Sequence, residues 1–127
     1  MRRVTVSRVI DAPAAAAWDV LVDTRRWPEW GSSVRSAAID GDGHRIGPGT
    51  TGSVTTIVGV TLPFRITDWV DDTSWRWRVA GLPATGHRVD ELGERRCRVT
   101  MDVPWFAAPY AVVLRAALSS IDAIVSD

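Results

Sequence analysis

The sequence predicts one α+β domain spanning residues 1–127. Its core is a curved antiparallel sheet of seven strands wrapped around a long C-terminal helix, with two short helices after the first strand. Three observations lead there. Polarity alternates with period two through most of Ser33 to Val103, the signature of half-buried strands. After Val103 the apolar period changes to 3.6 and holds to the end of the chain. The gaps between successive strands are short, which favours a meander over the long crossovers that parallel pairing needs.

Residues 3–10 form the first strand, with Val4, Val6 and Ile10 on one side and Arg3, Thr5 and Ser7 on the other. Asp11-Ala12-Pro13 then opens a helix over 14–23, with Asp11 or Ala12 at its cap and Pro13 in the first turn, where a missing N–H costs nothing. That helix sets Ala17, Trp18, Leu21 and Val22 on one face. A second helical turn follows through Arg25–Trp30 and ends at Gly31, its buried side shared by Trp27 and Trp30. Strands are expected near 33–39, 51–59, 62–70, 74–80, 85–92 and 95–103. Asp40-Gly41-Asp42-Gly43, Gly47-Pro48-Gly49, Asp71-Asp72, Gly81-Leu82-Pro83 and Gly93-Glu94 supply the breaks. Pro104 ends the last strand. The final helix, about 107–126, carries Tyr110, Val113, Leu114, Ala117, Leu118, Ile121, Ile124 and Val125 as a broad apolar stripe.

Composition narrows the function. Apolar residues make up 46% of the chain and charged residues 24%, an ordinary globular mixture. Fifteen basic residues balance fifteen acidic ones, so there is no basic footprint for nucleic acid and no polybasic membrane anchor. Every basic residue is arginine, and Lys, Asn and Gln are absent, which reads as GC-rich coding and a bacterial source. The single cysteine, Cys97, cannot form an internal disulfide. Two His and one Cys offer no metal-ligand spacing, and no glycine-rich phosphate loop occurs, so no cofactor is expected. The N-terminus has no apolar leader, and no apolar run approaches the ~18 residues of a membrane span. A cytoplasmic protein, monomer or homodimer, with no integral membrane segment is the expectation.

Ile10-Asp11-Ala12-Pro13, Trp18-Asp19-Val20-Leu21-Val22-Asp23 and Trp27-Pro28-Glu29-Trp30, in this order of elements, resemble the START-like (SRPBCC) superfamily with its helix-grip fold. Leu62 to Trp69 and Gly86-His87-Arg88-Val89 are similar to its strand sequences. That superfamily includes polyketide cyclase/dehydrases and lipid-transfer domains. The resemblance implies a ligand cavity between the sheet and the last helix. The aromatase/cyclases carry an inward serine and arginine two residues apart on the strand after the first hairpin. Here those places hold Ile66 and Asp68, and the cyclase tyrosine of the following strand has no counterpart.

Strand phase points Phe64, Trp75 and Trp77 inward, as a flat apolar wall suited to a ring system or as simple filling. His87 and Val89 share the inward phase, and an imidazole there is either a general base or a satisfied core residue. Asp68 points inward if its strand runs unbulged, and otherwise faces solvent near Asp71 and Asp72. His87 and Asp68 are thus the catalytic candidates. Ile66, Val99, Met101, Trp105, Tyr110 and Leu114 complete the expected lining. Trp27 and Trp30 are packing anchors or the pocket mouth. The function expected is binding or transport of a small hydrophobic molecule, lipid-, aromatic- or polyketide-like. The alternatives are a polyketide aromatase/cyclase or dehydrase, and a protein-interaction module with a vestigial cavity.

Overall fold

The computed structural model describes residues 2–126. Strands β1 (Arg3–Ile10), β2 (Val34–Ile39), β3 (Thr51–Thr56), β4 (Thr61–Val70), β5 (Ser74–Val79), β6 (Leu82–Gly93) and β7 (Arg96–Pro104) form one sheet in the order β1-β7-β6-β5-β4-β3-β2. Every neighbouring pair is antiparallel. The helices are α1 (Ala14–Val22), α2 (Trp27–Trp30) and α3 (Ala111–Val125), with a 3-10 turn at Thr24–Arg26 and another at Trp105–Tyr110. The expected grip of a sheet around its last helix is present.

Alternation is clearest on β7, where Cys97, Val99, Met101 and Val103 are buried and Arg96 and Arg98 are exposed. On the concave side, Leu114, Ala117, Leu118 and Ile121 of α3 are buried against the sheet, and Val113 is half-buried. Burying each of the larger side chains contributes about 1.5–3 kcal/mol. Trp18 on α1 meets Trp69 near the end of β4 edge-on, with ring centroids 5.4 Å apart. The long segment between β2 and β3 is tied to the end of α1. Ile46 N donates to Val22 O (3.0 Å), and His44 O accepts from the backbone and hydroxyl of Thr24 at 2.8 and 3.1 Å.

Three local expectations are corrected. Pro13 is itself the cap of α1, with φ −60° and ψ 144°, and not part of its first turn. Its fixed φ suits either place, but the extended ψ puts it outside the helix. The final helix is not uniform from residue 107. Ala107 leaves helical geometry (φ −105°, ψ 21°), and the α-helix proper begins at Ala111. Pro109 is the cause, because it lacks an N–H and its ring clashes with the carbonyl four residues back, so the first turns tighten to 3-10. Third, the 21 residues Trp105–Val125 are long and apolar enough to cross a membrane by length and composition. Arg115 and Asp122 interrupt that run without making it polar. In this fold the apolar stripe of α3 packs on the sheet as a core helix.

Cys97 is wholly buried beside β1, and loss of solvation pushes its thiol up, with the nearby Asp122 charge adding to the effect. A thiol reagent should therefore label the native protein only as fast as it unfolds, and denaturant should accelerate the reaction. Prompt labelling without denaturant would place Cys97 on the outer face and reverse the phase of β7.

Candidate functional site

The concave face is not filled along its whole length. At the end of the sheet where β6 begins and β7 finishes, a cavity of about 280 Å³ lies beneath α3. Its wall includes Trp27 and Trp30 of α2, Trp75 and Trp77 of β5, Thr85 and His87 of β6, and Leu114 and Ala117 of α3.

Trp27 and Trp30 are both anchors and wall. Their indole N–H groups donate to Leu21 O (2.9 Å) and Val20 O (3.2 Å), two of the carbonyls that a helix leaves unpaired in its last turn. The bonds lock α2 against α1. Trp27 then stacks on Trp75 with ring centroids 5.7 Å apart and 14° between planes, and meets Trp77 edge-on at 5.2 Å. Trp75 in turn stacks on His87 at 3.8 Å.

A short polar strip crosses this aromatic wall. Trp77 Nε1 donates to Thr85 Oγ1 (2.9 Å), leaving the threonine hydroxyl free to donate to His87 Nε2 (3.0 Å). His87 Nδ1 then carries the imidazole proton and points it at Trp75 O (3.4 Å). Burial pushes the imidazole down to about 3, outweighing the opposing pull of that carbonyl and of Asp102. His87 is thus neutral near pH 7, with both ring nitrogens occupied. Two other polar features matter. Trp75 Nε1 is buried with no hydrogen-bond partner among the described residues. At the rim, Ser33 Oγ and Tyr110 OH share a hydrogen bond of 2.8 Å that links the start of β2 to the turn before α3.

Among the residues expected from sequence, the cavity brings together Trp75, Trp77, His87, Tyr110 and Leu114. Phe64, Ile66, Val89, Val99 and Met101 face inward but do not line it, which corrects the expectation. Phe64 is used up in packing. It lies over Gly52, where a Cβ would sit 2.8 Å from its ring, and its other contacts are Trp27 and Trp77. The other four belong to the close-packed core outside the cavity. Trp105 is corrected more strongly: it follows Pro104 out of the sheet, lies 61% exposed and takes no part in the lining.

Asp68 is corrected as well. β4 shifts register between Ile66 and Asp68, so that Asp68 pairs with Arg76 and lies exposed on the outer face. A bulge inserts one residue and reverses the side-chain phase beyond it. Thr85 and Ser33 were not anticipated. Thr85 was legible in principle, because it stands two residues before His87 on one strand and so shares its face.

A family model described as "Polyketide cyclase / dehydrase and lipid transport" matches residues 1–122. No curated protein matches the chain in sequence. Similar solved structures include the protein XoxI from Bacillus cereus (TM-score 0.74, 15% identity), with 98% of this chain and 96% of that one covered. The Zhui aromatase/cyclase from Streptomyces sp. R1128 superposes with a TM-score of 0.71 at 15% identity, covering 96% and 92% of the two chains. The di-domain ARO/CYC BexL from the BE-7585A biosynthetic pathway gives 0.70 at 13% identity, with 97% of this chain matching 46% of that one. At such identities the likeness is one of fold.

The buried imidazole makes stability depend on pH. An unfolded chain protonates His87 near its ordinary 6.5, whereas the folded chain does so only near 3. The contribution of this group is therefore complete above pH 6.5 and drains away as pH falls toward 3. The limiting slope is about 1.4 kcal/mol per pH unit. Urea midpoints measured from pH 6.5 downward should fall in the wild type, and His87→Phe should flatten that slope. Equal slopes in the two proteins would show that His87 is not buried as a neutral group.

Proposed function

The chain belongs to the polyketide cyclase/dehydrase and lipid transport family, and from that premise we propose that it binds a small aromatic molecule in this cavity without transforming it. The observation that carries the reading is a wall of four indoles, Trp27, Trp30, Trp75 and Trp77, around unfilled space. Rigid flat side chains present large apolar area and stack on ring systems. At about 30 Å³ per molecule of liquid water, 280 Å³ corresponds to roughly nine waters. A one- or two-ring molecule suits that space. The volume nevertheless approaches the ~300 Å³ typical of ligand sites, which speaks against a vestigial cavity.

The polar atoms support binding over catalysis. A general base needs a free lone pair and a pKa near the working pH. His87 offers neither, since Thr85 occupies Nε2 and burial holds the ring near 3. Asp68 stands on the other side of the sheet. One donor remains unused, the indole N–H of Trp75, and a buried unpaired donor costs about 1–3 kcal/mol. That donor is sealed within the packing, so the ligand that fits best is an apolar ring.

Titration with 2-acetonaphthone or naphthalene should change the indole fluorescence. Ala117→Leu adds bulk to the cavity wall and should abolish the response while the protein still unfolds cooperatively. The reading fails if neither compound, nor a wider panel of one- and two-ring aromatics, alters fluorescence or melting temperature.

A further inference from the structure

The charges of this chain cancel in sum but not in space. The antiparallel register gathers at one end of the sheet the start of β1, the end of β7, the β5–β6 turn, the β3–β4 turn and the start of β2. The cavity reaches this same end, where Thr56, Leu62, Pro83 and Pro104 line it. The segments 2–4, 31–36, 55–63, 78–84 and 103–116 that build it contain no Asp and no Glu, and Asp102, just inside the sheet, is paired with Arg3 and Arg76. They do contain Arg2, Arg35, Arg78 and Arg115, all exposed. Two of these are held in place by backbone carbonyls, Arg35 by Ile57 O (2.9 Å) and Arg78 by Gly81 O (3.1 Å), so their charge is not neutralised. Carboxylates collect at the opposite end, with Asp40 and Asp42 after β2, Asp71 and Asp72 after β4, and Glu91 and Glu94 around the β6–β7 turn.

The cationic end is also the apolar one. Ile57 and Val58 crown the β3–β4 turn, Leu82 stands at the β5–β6 turn, and Trp105, Phe106 and Val112 project from the turns that open the last helix. Val58 is 79% exposed, Val112 74% and Leu82 66%. Of the large exposed apolar side chains among the described residues, only Val9, Val70 and Leu92 lie elsewhere. Single exposed apolar residues are unremarkable in a folded protein, but a cluster ringed by one sign of charge marks an interaction surface.

We propose that this end of the molecule docks on a bilayer surface rich in anionic lipid. Charge complementarity chooses the occupant. Four arginines without a carboxylate among them face a negative surface favourably. Their long apolar stems let the guanidinium groups reach headgroup phosphates while the apolar tips enter the layer below. The shape favours lipid over a folded acidic protein, because the apolar side chains stand on separate protrusions around an opening, where a fluid surface conforms and a rigid one leaves gaps. Trp105 beside Phe106 (ring centroids 5.9 Å apart) is the kind of aromatic pair that settles at a headgroup boundary. Docking in this orientation turns the cavity mouth toward the bilayer, and it holds whether or not the cavity takes an aromatic ligand.

The test is co-sedimentation of the full chain with unilamellar vesicles of phosphatidylcholine, alone or mixed with phosphatidylglycerol. Binding is expected only to the mixed vesicles and should weaken steeply as salt is raised. Arg2→Glu with Arg115→Glu should weaken it by about 25-fold or more, at about fivefold for each arginine lost. Trp105→Ala with Phe106→Ala should weaken it comparably, and the arginine pair carries the test if that variant does not fold. Both variants should keep the fluorescence response to 2-acetonaphthone in the absence of vesicles, which separates this proposal from the cavity reading. Three results would overturn it: no vesicle binding by the wild type, equal binding to both lipid mixtures, or a dimer dissolved by the Trp105/Phe106 variant in place of vesicle binding.

Discussion

The indole of Trp27 is the contact through which the two halves of the fold hold each other. Its N–H closes the open end of α1 at Leu21 O, its face stacks on Trp75 and its edges meet Trp77 and Phe64. Helix and sheet therefore meet at one rigid, wholly buried ring. A flexible aliphatic residue there fills volume, but it neither satisfies the Leu21 carbonyl nor sets the angle of Trp75. The consequence travels one ring further, because Trp75 is clamped between Trp27 and His87. The stack of Trp27, Trp75 and His87, with Trp77 edge-on to it, leaves a space before Leu114 and Ala117 of α3. The cavity is thus a result of rigid rings that cannot collapse, in the way that large flat side chains resist repacking.

That rigidity explains why the sheet was so legible in the sequence and the site much less so. Alternation along Cys97, Val99, Met101 and Val103 identifies an inward face, and each of these side chains is buried. Phase, however, tells in from out and nothing else. Whether an inward residue meets a cavity or a packed neighbour depends on its position along the strand. Val89 and Val99 lie one or more residues away from the open end, while Thr85 lies at it. Phase also fails past a bulge, which is why Asp68 was not placed and why its pairing with Arg76 came as new information. The residues that matter most to the site, Trp27 and Trp30, sit in a four-residue helix too short for any periodic signal. Their dual use as anchors and wall appears only when the distances are known.

The polar chemistry of the cavity follows from the same economy. Inside an apolar wall every donor must find an acceptor, and Trp77, Thr85, His87 and the Trp75 carbonyl satisfy one another in a chain. A histidine wired this way orients its neighbours and holds no proton to give at neutral pH. Its burial without charge becomes unfavourable on acidification, so the group makes stability depend on pH. The unpaired N–H of Trp75 breaks this pattern.

Net charge is an average, and here the average conceals the arrangement. The composition of equal acids and bases gave no reason to expect any electrostatic preference. The register of the sheet sorts them in part nonetheless, because turns at alternate ends of a meander carry different chemistry: Asp71 and Asp72 between β4 and β5 and Glu94 beside Arg95 between β6 and β7, against apolar residues and glycine between β3 and β4 and between β5 and β6. A sequence can thus be neutral overall and strongly polarised in the fold. The carboxylate end also holds the ion pair between Arg8 and Asp122 at 2.6 Å, which fastens the tail of α3 to β1. The end without carboxylates is fastened by hydrogen bonds instead, from Trp105 N to Arg2 O (2.9 Å) and between Ser33 and Tyr110 over the cavity rim. One end of α3 is therefore held by an ion pair and the other by hydrogen bonds through the turns that precede it, while Leu114, Ala117, Leu118 and Ile121 are buried between.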